Sequence, residues 1–396
     1  MDNYQLQPFE SSGSLTPGQL DSVRSDERVI TKFGRRIAWA AFVTAFVVGG
    51  LWMAAQATNQ DLPGLGGAKP VATNAASGYG FSTDLSNLNS DQLNAKLDGI
   101  KATGASWVRF DLSWDQVQAK GPASYDWSAP DAQVKAAELH GLKTVLDIDF
   151  TPTWARGACT NSKMCGPADP HAYGAFAAAV AAHYKPYGVE DYEIWNEPNI
   201  SYRFHPDANP QLYTAMLKSA YTNIKHEDPN ALVIAASTAP SATDGASYGP
   251  ADWLNAMYGA GAQGSFDAIS AHPYTYPVTP AQSNPADAWG QLQTMHQIMA
   301  AHGDGAKQIW ITEFGAPTNG PNIAGDHVSE AVQAQTVTEA ISIFHSYPWS
   351  GPLFWYDYQD AGSGTWNSEN FYGLVRADGS FKPAYYAWKQ AIAATP

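Results

Sequence analysis

From Tyr79 onward the chain alternates short apolar, strand-like runs with longer helical patterns, and this alternation constrains the fold more than any other feature. Eight runs qualify: 79–84, 107–112, 143–150, 191–197, 232–237, 267–272, 308–313 and 352–357. Strands covered on both faces read as near-continuous apolar stretches, and helices between them imply parallel pairing. Leu93, Leu97 and Ile100 recur at i, i+4 and i+7, with Ser90 as a candidate N-cap and Gly104 as the stop. Tyr213, Met216, Leu217, Ala220, Tyr221 and Ile224 trace a broader stripe. Leu292, Met295, Ile298 and Met299 form another, as do Val328, Val332, Val337, Ile341 and Phe344. Eight strands alternating with helices over about 315 residues predict a single α/β domain, a (β/α)₈ barrel spanning 78–396. An open doubly wound sheet is the alternative, but no Gly-rich phosphate turn follows any strand.

Ahead of the barrel lies Ile37–Ala55, a 19-residue run whose only polar side chain is Thr44. At about 1.5 Å per residue it spans about 30 Å of hydrocarbon. Trp39 and Trp52 stand near its ends, Lys32, Arg35 and Arg36 precede it, and the first charge after it is Asp61. The basic flank predicts a transmembrane signal-anchor, with a disordered tail (1–36) in the cytoplasm and a flexible tether (56–77) leading to an extracytoplasmic catalytic domain. A signal peptide cleaved near Ala57, and hence secretion, is the rival reading; both export the barrel. The only two cysteines, Cys159 and Cys165, would close a small disulfide loop in such a compartment. A two-cysteine metal site lacks clustered ligands nearby, and free thiols are the alternative if export is wrong.

Residues 1–36 carry five acids and five bases, so the net charge of −15 belongs entirely to the rest of the chain. A body this acidic argues against nucleic acid or other polyanions, because phosphate binding needs clustered Lys and Arg. It suits a neutral substrate. The 14 tryptophans fit either a sugar-binding cleft, where rings stack on aromatic faces, or a Trp-rich core.

Two glutamates give the barrel its chemistry. Glu197 lies in Trp195-Asn-Glu-Pro-Asn199 at the end of the fourth run, and Glu313 in Ile309-Trp-Ile-Thr-Glu-Phe-Gly315 at the end of the seventh. Pro198 biases its predecessor away from the helical region, which predicts an extended Glu197. Side chains at carboxyl ends of barrel strands reach the face where active sites gather, and a carboxylate pair there is what glycosidic cleavage requires. Strict alternation would put Asn196 and Glu197 on opposite faces, so a twist or bulge is expected between them. Glu193, about 13 Å down the strand from Glu197, reads as a buried structural acid towards the barrel floor.

A strand-four Asn-Glu-Pro with a strand-seven glutamate resembles the clan A retaining glycoside hydrolases. With Trp107-Val-Arg-Phe-Asp111 and Ser270-Ala-His-Pro-Tyr274, the chain is most similar to family 39 and its bacterial exopolysaccharide-hydrolase relatives, family 5 being the near neighbour. The resemblance implies Glu197 as general acid/base and Glu313 as nucleophile, with Asn196 on the sugar 2-hydroxyl. It places Arg109 at the end of strand two, keeping Glu313 ionised, and His272 and Tyr274 near the nucleophile. Trp355 would be the platform under the sugar, and Asp149, Trp114 and Trp154 subsite residues. Tyr356, Asp357, Tyr358, Asp360 and Trp366 crowd the last loop and would shape one cleft wall. No accessory β-sandwich pattern follows the barrel, unlike in some family 39 members, so their substrate preference does not carry over. The expected activity is retaining hydrolysis of a cell-envelope or extracellular polysaccharide, without cofactor or metal. Transglycosylation by the same glutamates, or non-catalytic glycan binding, are the competing functions.

Overall fold

The computed structural model describes residues 76–395 except positions 158, 160 and 322. The tail, the apolar run 37–55 and the tether up to residue 75 lie outside the described residues. Among the described residues no helix is long and apolar enough to cross a membrane.

Eight parallel strands close into a barrel in sequence order. They are β1 (Tyr79–Ser82), β2 (Trp107–Ser113), β3 (Lys143–Asp149), β4 (Asp191–Ile194), β5 (Leu232–Thr238), β6 (Ala268–Ala271), β7 (Ile309–Phe314) and β8 (Ser350–Trp355). Closure comes from β1 on β8, with Gly80 opposite Phe354. The helices are α1 (Ser90–Ala102), α2 (Trp114–Val117), α3 (Ser128–Leu139), α4 (Pro170–Tyr184), α5 (Pro210–Glu227), α6 (Pro250–Gly259), α7 (Gln291–Ala301), α8 (Glu330–His345) and α9 (Pro383–Ala394).

Local chemistry starts these helices. Asp169 and Asn209 cap α4 and α5 through their side chains, each followed by proline at the first helical position, where a missing N–H costs nothing. For α1 the cap is Asn89, not Ser90, because Asn89 and Gln92 exchange side-chain bonds with each other's backbone N–H. Gly104 follows that helix at φ +92°, a conformation glycine adopts without penalty. Gly174 lets α4 and α5 approach closely: a Cβ there would stand 2.0 Å from Ser219 Oγ.

The barrel interior is layered. Trp107, Val145, Ile234, Ala268, Trp310 and Phe354 pack together as an apolar floor. Gly80 makes room for it, since a Cβ there would lie 2.6 Å from Trp107 Cβ. Alternation sends Val108, Phe110 and Leu112 outward to the helices, while Arg109 and Asp111 face inward. Above the floor sits a buried polar layer of Ser82, Arg109, Asp147, Glu193, Ser270 and Thr312. Glu193 therefore lies mid-barrel, above the floor.

At the carboxyl ends the alternation breaks. Trp195 (φ +67°) and Glu197 (φ +52°) are left-handed, as are Phe150, Ala236 and Ser237. Register shifts also interrupt β5 between Ala235 and Thr238 and β7 between Ile311 and Phe314. Such non-glycine residues each cost about 1–3 kcal/mol and cluster where function demands a geometry that a regular strand cannot give.

Candidate active site

The strained ends deliver the two glutamates to one cleft of 570 Å³ at the top of the barrel. β4 stops at Ile194, so Glu197 stands beyond the strand and is left-handed, not extended as the Pro198 rule predicts. The two positive-φ residues send the Trp195 ring out to Tyr173 and Phe204, while Asn196 and Glu197 both line the cleft. At β7 the irregular register lets Thr312 and Glu313 both face inward. Glu197, Glu313 and His272 each bring one polar atom within 4.8 Å of the other two.

Arg109 organises the base of the site. It lies in the middle of β2, not at its end, and its five donors all find acceptors. Nε donates to Glu193 (2.5 Å), Nη1 to Ser82 Oγ (3.0 Å) and Glu313 Oε1 (2.6 Å), and Nη2 to Asp147 Oδ2 (2.7 Å) and Asn196 Oδ1 (3.1 Å). One planar ion thus joins β1, β2, β3, β4 and β7. Glu193 is completed by the hydroxyls of Ser270 and Thr312. With Asn196 Oδ1 held by Arg109, its amide nitrogen is left to face a ligand.

The Glu313 carboxylate also accepts a bond from Tyr274 Oη at 3.0 Å. Burial, then the Glu313 charge, raises the Tyr274 phenol far above its ordinary range, so it remains a neutral donor. His272 is wholly buried beneath the cleft, bonds Glu197 more closely than Glu313, and does not line the cavity. Its Nδ1 lies 3.0 Å from Glu197 Oε1 and 3.7 Å from Glu313 Oε2, while Nε2 meets the Ser237 and Thr312 hydroxyls. Nδ1 thus faces two carboxylate oxygens and Nε2 two hydroxyls.

Arg203, on the loop after β4, approaches Glu197 Oε2 at 3.3 Å. Burial pushes the Glu197 carboxyl up, but the His272 hydrogen bond and the charges of His272, Arg203 and Arg109 outweigh it and hold it below the ordinary carboxylate range. The Glu197 carboxyl is thus biased towards its ionised form. With Glu197 as the general acid, kcat/KM falls as it sheds its proton, so the basic limb should lie in acidic solution, below the range of an ordinary carboxyl. Arg203→Gln removes one of the lowering charges, raises the Glu197 pKa, and should move the basic limb of a kcat/KM–pH profile up by about one pH unit. An unmoved limb would show that Glu197 is not the titrating acid.

Several expected subsite residues lie elsewhere. Trp355 faces outward from β8, wholly buried against Phe314 with Nε1 donating to the Tyr372 carbonyl. The next residue, Tyr356, faces the cleft instead. Trp114 is core, stacked on Phe176, and Trp154 packs edge-on against it, away from the cavity. Asp149 is buried at the end of β3 and is not part of the cleft wall. Of the last-loop group only Tyr356 reaches the cleft: Tyr358 packs on Phe81, Asp360 pairs with buried Lys382, and Trp366 points to solvent. The aromatic lining is mainly tyrosine, namely Tyr202, Tyr274, Tyr276, Tyr356 and Tyr372, with Phe110 and Phe150. Arg203, Ser237 and Tyr372 carry no local motif. For Ser270 a signal was available: strand alternation puts it on the same face as Ala268 and His272.

Cys159 and Cys165 are joined by a disulfide, with Cα atoms 5.7 Å apart. It closes the loop that brings Lys163 to the cleft wall.

A family model described as Cellulase (glycosyl hydrolase family 5) matches residues 69–351. No curated protein matches the chain. Among solved structures, a family 39 glycoside hydrolase from the gut symbiont Bacteroides cellulosilyticus WH2 aligns with TM-score 0.64 and 24% identity, over 81% of this chain and 64% of that one. This chain therefore spans less than two thirds of that enzyme. A family 39 enzyme from Xanthomonas axonopodis pv. citri aligns with TM-score 0.61 and 18% identity, over 81% and 68% of the two chains. The GH5_18 enzyme from Streptomyces cattleya, solved with GlcNAc, aligns with TM-score 0.61 and 21% identity, over 81% and 80%. These likenesses establish a shared barrel fold.

Proposed function

Because this chain belongs to the cellulase family, glycosyl hydrolase family 5, and is thereby an O-glycosyl hydrolase, we propose that it cleaves β-glycosidic bonds of a neutral cell-envelope or extracellular polysaccharide by double displacement. The observation that carries this reading is the approach of Glu197 and Glu313, whose polar atoms come within 4.8 Å. Retaining enzymes hold their carboxyls about 5–5.5 Å apart, whereas inverting ones leave about 6.5–9.5 Å for a water.

In the first step a Glu313 oxygen attacks the anomeric carbon as the glycosidic bond breaks, and Glu197 gives its proton to the departing oxygen. Arg109 and the Tyr274 hydroxyl hold Glu313 in line. In the second step Glu197, now ionised, takes a proton from water, whose oxygen displaces Glu313 from the anomeric carbon. The His272 and Arg203 contacts favour this ionised form.

The cleft supports a neutral glycan. Asp84, Asp111 and Glu369 add negative charge to its walls against Lys163 and Arg203, which disfavours polyanions. Five tyrosines offer ring faces and hydroxyls to sugars. The apolar run 37–55 with its basic flank supports a membrane tether with the barrel outside, and the Cys159–Cys165 disulfide fits an oxidising compartment.

The test is to follow hydrolysis of aryl β-glycosides, pyranosides and furanosides alike, by proton NMR. The first product should keep the β configuration, and a 2-fluoro glycoside should inactivate the enzyme by labelling Glu313. An α-anomer as first product would overturn double displacement. Transfer to an added sugar acceptor in preference to water would reassign the enzyme as a transglycosylase.

A further inference from the structure

Beside the catalytic pair, three aspartates converge where β2 and β3 reach the top of the barrel. We propose that Asp111, Asp147 and Asp149 bind one hard divalent cation, calcium by preference, at the edge of the glycan cleft. Asp111 lies in register with Asp147, and Ser113 with Asp149, so the three aspartates share the inward face of adjacent strands. One carboxylate oxygen from each lies within 4.8 Å of the other two. Calcium–oxygen distances of about 2.3–2.6 Å allow two ligands of one ion to stand up to about 5.2 Å apart, so three such oxygens can share it.

A cluster of acids alone is only a patch of negative charge. What distinguishes this one is its unsatisfied interior. Asp149 is 1% exposed, and neither of its carboxylate oxygens meets a hydrogen-bond donor of the protein. Asp147 is equally buried; Arg109 holds its Oδ2 at 2.7 Å, while Oδ1 has no partner. Unpaired buried carboxylates are costly, and cations normally relieve them. The neighbouring cations reach Asp149 only through their charge, with no hydrogen bond to it. Arg109 has all five donors engaged, and Lys163 rests its Nζ 3.5 Å from the Phe150 ring centroid. Lys163 closes no ion pair with any described carboxylate.

Asp111 lines the open cleft, which provides an entry path and room for water to complete the coordination. An all-carboxylate donor set selects hard cations over zinc or copper. Calcium fits better than magnesium, because it tolerates irregular geometry and a bidentate carboxylate such as Asp149. A bound ion would neutralise the β2–β3 rim and leave Arg109 oriented towards Glu193 and Glu313.

The full chain, purified in detergent, stripped with EDTA and gel-filtered, would be titrated with calcium chloride by calorimetry. Its thermal unfolding would be compared in excess calcium and in EDTA. One calcium per chain and a calcium-dependent rise in Tm are expected. Asp149→Asn and the cleft-facing Asp111→Asn should each weaken binding on the order of 100-fold and erase the Tm response. Glu313→Gln should keep both, which separates this site from the Glu197–His272–Glu313 cluster and makes the result independent of turnover. Asp149→Asn should also unfold at a higher temperature than the parent in EDTA, because it removes an unpaired buried charge. A parent enzyme without calcium heat or Tm shift would overturn the proposal. So would an Asp149→Asn protein that responds as the parent does, or a parent stabilised only by lowering the pH, which would assign the cluster to a shared proton.

Discussion

Glu313→Gln should lower kcat by about 10⁴-fold or more while leaving glycan affinity within a few-fold. The amide is isosteric with the carboxylate and can still accept from Arg109 Nη1, so the fold and the cleft should survive. What disappears is the anionic oxygen that must bond to the anomeric carbon. Glu197→Gln is the informative contrast. With an activated aryl leaving group the first step needs little proton donation, so that variant should form the glycosyl-enzyme and stall before hydrolysis. Pre-steady-state release of the aryl group measures the difference: a burst is expected for Glu197→Gln and none for Glu313→Gln. A Glu313→Gln protein within tenfold of the parent would end its assignment as nucleophile.

Arg109→Met should be the most damaging change to stability. It leaves Glu193 and Asp147 wholly buried without their guanidinium, and breaking a buried pair in this way costs about 3–5 kcal/mol. Removing one carboxylate at the same time should recover part of the loss, so Arg109→Met with Glu193→Gln should be markedly less than additive. Arg109→Lys keeps the charge but has no planar fork to reach five acceptors around the barrel, and should fall between. Urea unfolding of the three variants checks the order. A loss under about 1 kcal/mol for Arg109→Met would mean that the polar layer does not depend on this ion.

All eight strands, their order and the two glutamates could be read from the residues because each depends on local pattern: apolar runs, helical stripes and the Trp195–Asn199 pentapeptide. What could not be read is the phase of the side chains at the strand ends. Two-residue alternation fails where Trp195, Glu197, Ala236 and Ser237 take positive φ, and no rule of composition announces a strained residue that the tertiary structure imposes. The Pro198 bias was overridden in the same way. Trp355 illustrates the opposite error: here alternation holds from Phe354 on the floor through Trp355 in the outer core to Tyr356 in the cleft, and a motif position one residue off selected the wrong ring. The tryptophans went mainly to the core; Trp107, Trp114, Trp195, Trp253, Trp310, Trp355 and Trp388 are fully buried, and no described tryptophan lines the cleft. Arg203 lies in a loop, where neither periodicity nor propensity marks a side chain that will fold back onto Glu197.

The floor of Trp107, Trp310 and Phe354 has a kinetic meaning of its own. It stoppers the barrel from below, so the cleft mouth is the doorway shared by glycan, departing fragment and attacking water. The steps then form a queue: the severed fragment must vacate the doorway before water can reach the glycosyl-enzyme. A fragment that lingers invites the back-reaction, and a second sugar that arrives first is glycosylated in place of water. On the proposed mechanism, occupancy of one entrance sets the ratio of hydrolysis to transfer, and a rim residue such as Tyr202 can shift that ratio without touching the chemical step.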